Sequence, residues 1–227
     1  MFTLAFDTCL DVCSVALIDR SAGDVLAARH VPMTRGHAEA LLPLVDDTLK
    51  EAGLVPGRLS RVAVTRGPGT FTGVRIGLSA ARGLAISPDV DVVALTSLEA
   101  LALCANAHDD TDRPVAALID ARRGELYGAV FSGTGTLMTD PMIVPADGIS
   151  DSLPDGELRV CGTGAALAAA ADSRFILSAA EPLPVASVWG PAAAAAGPRH
   201  DLPVPVYLRA PDAKPPAADA RVRRTQA

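Results

Sequence analysis

The sequence predicts an α/β protein built from two similar halves. Each half opens with an apolar run, a turn that carries an aspartate, and a second apolar run, first within residues 3–18 and again within residues 115–131. Stretches in which apolar residues recur at helical spacing lie between these runs, which favours strands alternating with helices. The order of elements is shared by both halves although no repeat is visible residue by residue, so we expect a duplicated domain.

Composition narrows the class of protein. The chain has 227 residues, of which 49% are hydrophobic and 20% are charged, as in a globular protein that buries roughly 70% of its unfolded surface. The net charge is −6 and only 4% of residues are aromatic, which argues against a direct RNA-binding surface. No run is long enough to span a membrane and none of the four cysteines forms a C-x-x-C pair. We therefore predict a cytoplasmic protein without membrane contact.

The first half begins with three predicted strands, at Thr3–Phe6, Cys13–Ile18 and Val25–His30. Asp7, Thr8 and Ser14 lie around the turn between the first two. A strand, a polar turn and a strand build the first phosphate loop in the actin, Hsp70 and hexokinase fold, which makes these three residues candidates for a vestigial phosphate loop. The alternative is an ordinary hairpin in which Asp7 caps the turn.

The next predicted element is a helix from His37 to Ala52, which Pro43 should kink. Metal-dependent relatives of this fold place two histidines four residues apart on one helix face, where both imidazoles reach one ion. Here the residue four positions after His37 is Leu41. We therefore predict no metal site and a structural role for His37.

Residues 61–85 contain the most unusual pattern of the chain. A buried strand, Val62–Thr65, leads into the turn Gly67-Pro68-Gly69 and a helix from about Gly73 to Ala85, with Thr72 as the expected N-cap. Small residues at i, i+4 and i+8 give this helix one bare stripe, which predicts close approach of another backbone. A phosphate cradle is the less favoured alternative, because the Walker pattern G-x-x-x-x-G-K-[ST] is absent.

The predicted helices His37–Ala52 and Gly73–Ala85 supply the predicted partner surface. Their apolar and small residues cover more area than one face of a sheet can bury, and exposed apolar patches mark interfaces. The predicted interface residues are Leu41, Leu42, Val45, Gly73, Ile76, Gly77, Ala80, Ala81 and Leu84.

The rest of the chain completes two predicted domains. A strand at Val92–Leu95 precedes a capping box, Thr96 to Glu99, that opens a helix ending near Ala107. The predicted domains are residues 1–110 and a smaller unit of residues 111–211, followed by a disordered tail of residues 212–227. The second domain's predicted elements are strands at 115–119, 126–131, about 137–144 and 158–161, two Ala-rich helices at about 165–171 and 185–196, and an extended segment at 203–211.

Several segments resemble the TsaB (YeaZ) family of bacterial tRNA-modification subunits, in the family's order. They are L-A-F-D-T-C with the following S-V-A-L, G-H-A-E-A-L-L-P-L-V, T-R-G-P-G-T-F-T-G-V-R-I-G-L-S-A-A-R-G-L-A, L-T-S-L-E-A-L-A, L-I-D-A-R-R-G-E-L-Y and V-Y-L-R-A-P-D-A. The third and last of these are specific, whereas L-A-F-D-T is shared with many relatives. Residues 132–202 carry almost none of the resemblance.

The resemblance implies the duplicated actin/Hsp70/hexokinase-like (ASKHA) fold with a shortened second domain. It also implies a non-catalytic scaffold or dimerisation subunit in the synthesis of threonylcarbamoyladenosine in tRNA. Such a subunit pairs with a catalytic paralogue, TsaD, and with an ATPase, TsaE, and meets tRNA only through the complex. A homodimer through the same helices is one possible state of the free chain, and the sequence does not decide between it and a monomer.

Two other functions stay open at this point. One is an enzyme of the same fold, either an ATP-using phosphotransferase with Asp7 and Asp120 facing each other across a cleft or a relative of the M22 metallopeptidases. The chain lacks the G-G-x-x-x-N adenosine-binding pattern of catalytic relatives, of which Gly162-Thr163-Gly164 is at best a remnant. We therefore predict no catalytic residue and no certain cofactor, with ATP or ADP at a partner interface as the open possibility. The other function is direct tRNA binding, which the acidic balance disfavours.

Overall fold

The protein contains two five-stranded mixed sheets with helices around them, in a computed structural model that describes residues 1–87, 89–109, 111–197 and 203–209. The first sheet comprises β1 (Phe2–Asp7), β2 (Val12–Asp19), β3 (Val25–Pro32), β4 (Leu59–Thr65) and β5 (Asp91–Leu95). The second comprises β6 (Val115–Asp120), β7 (Glu125–Phe131), β8 (Met142–Pro145), β9 (Leu158–Cys161) and β10 (Phe175–Leu177).

The two sheets have the same topology. The strand order is β3-β2-β1-β4-β5 in the first and β8-β7-β6-β9-β10 in the second. In each sheet the first three strands in sequence are antiparallel neighbours, and the last two run parallel to the first strand. This agreement confirms the predicted duplication and the actin-like fold class. We refer to each sheet with the helices that cover it as a lobe.

In the described part of the chain, six helices surround the sheets: α1 (His37–Glu51), α2 (Phe71–Leu84), α3 (Ser97–His108), α4 (Ile149–Ser152), α5 (Ala165–Ala171) and α6 (Ala186–Ala195). Alternation along β1 divides the first core in two, because successive side chains point to opposite faces of a sheet. Leu4 and Phe6 pack in the core that contains α1 and α2, whereas Ala5 packs beneath α6. The helices therefore cover both faces of the first sheet.

The lobes do not follow the chain in simple order. The predicted domain boundary near residue 110 lies between α3 and β6. We predicted α6 within the second domain, but it packs on β1 and β2 of the first sheet. Its Trp189 is fully buried there. In the same way α3 packs against β6. The predicted unit of residues 111–211 is therefore corrected, because its last helix has its apolar contacts in the first lobe.

Two buried arginines bind the C-terminal ends of α6 and α3. Arg61 on β4 donates to the carbonyl oxygens of Ala193, Ala194 and Ala196 at 2.9, 3.0 and 2.6 Å, close to the C-terminus of α6, and it also pairs with Asp91. These carbonyls are the groups that a helix leaves unpaired at its C-terminus, so a cation satisfies them well.

Arg159 on β9 does the same for α3. It donates to the carbonyl oxygen of Ala105 at 3.4 Å and pairs with Asp109 at 3.3 Å. Each arginine thus joins a strand of one sheet to a helix end across a long separation in sequence.

Several local predictions need correction. The third strand of the second lobe, predicted from about Leu137, begins at Met142, and Leu137 forms only an isolated bridge to Phe131. The strand β10 and two short 3₁₀ turns, Pro56–Arg58 and Ala146–Gly148, were not predicted. Residues 203–209 form no strand and belong to neither sheet, with a bend at residues 208 and 209, and the predicted tail, residues 212–227, lies outside the described residues. Within the described part of the chain, no helix is long and apolar enough to cross a membrane.

Candidate functional site

The β1–β2 turn and the first turns of α2 lie in direct backbone contact. A Cβ atom on Gly73 would lie 2.0 Å from the carbonyl oxygen of Thr8, and one on Gly69 would lie 2.3 Å from that of Cys9. On Gly77 a Cβ would lie 2.8 Å from the Thr8 hydroxyl. Real Cβ atoms do not approach so closely, so only glycine allows this contact. The predicted close approach along the stripe is therefore confirmed.

Hydrogen bonds hold the same contact. The Thr70 amide donates to the carbonyl of Cys9 at 2.7 Å, and the Thr8 hydroxyl donates to the carbonyl of Gly73 at 2.7 Å. The Thr70 hydroxyl accepts from the Gly73 amide and caps α2, which begins at Phe71. The prediction of Thr72 as N-cap was wrong by two residues, because the helix already turns after Thr70.

The neighbour that fills the stripe is the chain's own turn, which corrects part of the predicted partner surface. The stripe residues and the inner face of α1 are fully or almost fully buried in the first lobe: Leu41, Val45, Gly73, Gly77 and Ala81. Four predicted interface residues remain at the surface, with Leu42 56% exposed and Ile76, Ala80 and Leu84 half-buried. Only these four are available to a partner in this conformation.

Asp7 is buried completely at the end of β1. The Thr65 hydroxyl donates to its Oδ1, whereas Oδ2 has no hydrogen-bond partner. Burial raises the pKa of Asp7 to about 6, against the opposing effect of the hydrogen bonds from Thr65 and the Cys9 backbone. The carboxyl group therefore titrates near pH 6 and is not exposed to solvent.

The other two candidate phosphate-loop residues are also occupied internally. Thr8 binds α2, as described above, and the Ser14 hydroxyl accepts from the Ala186 amide at 2.9 Å and contacts His30 Nδ1 at 3.3 Å. None of the side chains of Asp7, Thr8 and Ser14 lines the cleft between the lobes. The predicted vestigial phosphate loop is thus corrected: its turn is present, but its polar side chains face inward.

His37 has a structural contact. It is buried, and its Nε2 lies 3.0 Å from the carbonyl oxygen of Leu10. No group of three or more potential metal-ligating side chains occurs among the residues that the structure describes.

A cleft of about 690 Å³ lies between the lobes. The β1–β2 turn and the start of α2 form one wall, the β6–β7 turn forms the opposite wall, and residues 206–209 line its mouth. The two predicted facing aspartates do not face each other, because Asp7 is buried and only Asp120 reaches the cleft. Asp11 takes the place expected for Asp7.

Arg122 connects the two acidic groups of the cleft. Its guanidinium nitrogens lie 3.8 Å from a carboxylate oxygen of Asp11 and 3.8 Å from one of Asp120. The Asp120 carboxylate also accepts from the Arg122 amide at 2.8 Å, and its own amide donates to the Thr163 hydroxyl at 3.0 Å. Arg122 and Arg123 have backbone φ angles of 64° and 59°, which is a left-handed conformation that residues other than glycine rarely adopt.

Sequence reasoning missed the aromatic residues at the mouth of the cleft. The rings of Phe71 and Tyr207 stack with centroids 5.4 Å apart, and the Arg75 guanidinium lies 3.6 Å from the centre of the Phe71 ring. Phe71 and Tyr207 are far apart in sequence. The one available signal was that Phe71 and Tyr207 both belong to the specific motifs of the chain.

Comparisons with known proteins give consistent results. A family model described as "TsaD: tRNA N6-adenosine threonylcarbamoyltransferase" matches residues 31–156. The chain is 40% identical over 124 residues to the tRNA threonylcarbamoyladenosine biosynthesis protein TsaB of Haemophilus influenzae, across 55% of this chain and 51% of that protein. The chain thus spans about half the length of the curated relatives it matches.

Solved structures show similarity over a larger part of the chain. The structure of YeaZ from Pseudomonas aeruginosa superimposes with a TM-score of 0.74 at 31% identity and covers 91% of this chain and 99% of that one. The activator of the 2-hydroxyisocaproyl-CoA dehydratase from Clostridium difficile has a TM-score of 0.50 at 10% identity, covering 86% of this chain and 93% of that one. At that identity the similarity concerns the fold alone.

The glycine contact predicts opposite effects for two substitutions in α2. Gly73→Ala should lower the free energy of unfolding by about 3 kcal/mol, because its methyl group would overlap the Thr8 carbonyl. Gly83→Ala is the matched control, since no atom lies within 4 Å of the added methyl, and it should raise stability by about 0.5–1 kcal/mol. Urea unfolding followed by Trp189 fluorescence measures both. Equal stabilities for the two variants would refute the close approach.

The buried carboxyl group predicts a specific pH dependence. The pKa of Asp7 in the folded state, about 6, exceeds the value of 3.8 that is usual for an aspartate, so between these two pH values the folded state holds the proton more tightly than the unfolded chain does. The free energy of unfolding should therefore fall by about 2 kcal/mol as pH rises from 4 to 7. Asp7→Asn should lack this contribution. Urea unfolding at pH 4 and pH 7 should therefore show that the stability of the variant, relative to the wild type, is higher at pH 7 than at pH 4. Parallel pH profiles for the two proteins would contradict the burial of a titrating carboxyl group.

Proposed function

The chain belongs to the TsaB/YeaZ family, and on that premise we propose that it is a non-catalytic subunit in the biosynthesis of threonylcarbamoyladenosine in tRNA. In this role it pairs with a TsaD-type paralogue that carries out the transfer, and with a TsaE-type ATPase. The tRNA is bound by the assembled complex in the cytoplasm rather than by this chain alone, in keeping with its net charge of −6.

The observation that carries the proposal is the internal use of the first turn. An enzyme of this fold that transfers phosphate needs polar groups of the β1–β2 turn in its cleft. Here the Thr8 hydroxyl is bound to α2, the Ser14 hydroxyl is bound to the start of α6, and Asp7 is sealed in the core. These groups stabilise the lobe and are not available to a substrate in the cleft.

The surface of α1 and α2 supports an interaction role. Leu42 exposes 56% of its surface on α1, and Ile76, Ala80 and Leu84 form a partly exposed apolar row on the adjacent α2. Burying such a row against another apolar surface is favourable by about 25 cal/mol for each Å² removed from water. The paralogue covers this surface in the complex, and a second copy of this chain covers it in a homodimer when the paralogue is absent.

An ATP-using enzyme is the second candidate, favoured by the cleft itself. A volume of about 690 Å³ with Asp11, Asp120 and Arg122 on its walls is large enough for a nucleotide. However, Arg122 lies close to both carboxylates and partly neutralises the charge that would hold a magnesium ion. We therefore favour the subunit role.

A single charge on the exposed row tests the proposed partner surface. Leu42→Arg should weaken binding of the TsaD-type paralogue at least tenfold, about 1.4 kcal/mol, because the complex would bury an unpaired guanidinium. Leu167→Arg is the matched control, since Leu167 is a 51% exposed leucine on α5 of the second lobe, and its affinity should equal that of the wild type. Affinities come from biolayer interferometry with immobilised paralogue. Unchanged binding of Leu42→Arg would place the interface elsewhere.

A further inference from the structure

Residues 203–209, which we call the strap, cross the mouth of the cleft from the first lobe to the second. They pair with no strand, and four of them, residues 206–209, line the cleft directly. A segment that touches both lobes and the opening between them is placed to control their separation.

The strap is attached to the first lobe through its backbone. The Val206 amide donates to the carbonyl of Arg66 at 2.8 Å, and the Pro203 carbonyl accepts from Arg82 at 2.8 Å. Gly67 leaves room for this seat, because a Cβ on it would lie 2.8 Å from the Val206 carbonyl oxygen. This end of the strap is therefore a formed binding site for a backbone segment.

An aromatic contact extends the same attachment. The Tyr207 ring stacks on Phe71, and its hydroxyl accepts from Arg75 Nε at 3.1 Å. Because Phe71 and Arg75 both lie in the first two turns of α2, Tyr207 moves with the first lobe.

Among the described residues of the strap, Arg209 makes the attachment to the second lobe. Arg209 donates to the carbonyl of Ala121 at 2.9 Å, forms an ion pair with Glu125, and places its guanidinium 5.8 Å from the centre of the Tyr127 ring. The ion pair is partly exposed, with 24% and 41% of the two side chains accessible. Exposed pairs of this kind are weak and are screened by salt.

We propose that the strap is an interlobe latch, fixed to the first lobe by its backbone and closed on the second lobe by Arg209. With Arg209 seated, the strap holds the two walls of the cleft at their present separation. Release of Arg209 lets the β6–β7 turn move away from the strap, which stays on α2, and the cleft widens on that side while the core shared by the two sheets stays formed. This device is independent of the proposed partner surface, which uses α1 and the outer face of α2.

Spin labels on the two lobes test the latch. Thr72→Cys at the start of α2 and Asp147→Cys after β8 place labels on exposed positions of opposite lobes. The four native cysteines are buried, and burial raises the pKa of their thiols, so the introduced cysteines react selectively. Pulsed electron–electron double resonance on the full chain then measures the distribution of distances between the two labels.

Arg209→Ala should shift this distribution to longer distances and broaden it. Glu125→Gln keeps the Ala121 contact and should produce a smaller shift in the same direction. Arg113→Ala is the matched control, because it breaks an ion pair of 3.4 Å with Glu157 inside the second lobe, and its distribution should coincide with that of the unmutated labelled protein. If the distributions for Arg209→Ala and Glu125→Gln both coincide with it as well, the strap is no latch.

Discussion

The contact between the β1–β2 turn and α2 is the constraint on which the rest of the first lobe depends. Three glycines, Gly69, Gly73 and Gly77, bring two backbones so close that a Cβ at any of them would overlap the turn. Close contact aligns the Thr8 hydroxyl with the Gly73 carbonyl and the Thr70 amide with the Cys9 carbonyl. The same seal excludes water from Asp7 and raises the pKa of its carboxyl group. Polar groups placed like those of a phosphate loop thereby become part of the core.

The second lobe contains a related contact with a different result. A Cβ on Gly162 would lie 2.3 Å from the carbonyl oxygen of Leu118, and the Gly164 amide donates to that carbonyl at 3.0 Å. Here too glycine lets a loop approach the first strand of a sheet. Asp120, which corresponds to Asp7 in the duplicated topology, nevertheless faces the cleft and binds the backbone of its own turn. Duplication has thus kept the backbone contact while the two aspartates have diverged in exposure.

Local patterns in the sequence were sufficient to predict most strands, α1, the capping box of α3 and the close packing of the glycine stripe, because each depends on spacing within one segment. Contacts between distant segments were not predictable in this way. Sequence alone gave no sign that Ser14 accepts from Ala186, that α6 returns to the first sheet, or that Tyr207 stacks on Phe71. The error at Thr72 is of another kind, since two threonines flank Phe71 and only the geometry selects Thr70 as the cap.

We infer that the first turn stabilises the lobe and does not bind a nucleotide. Isothermal titration calorimetry of the isolated protein with ATP and magnesium tests it most directly. We predict no saturable heat of binding up to millimolar nucleotide, because the hydroxyl and carboxyl groups of that turn are already engaged or buried. One-site binding at micromolar ATP that is lost in Asp7→Asn would contradict the account, since it would require the buried carboxyl group to act on a ligand in the cleft.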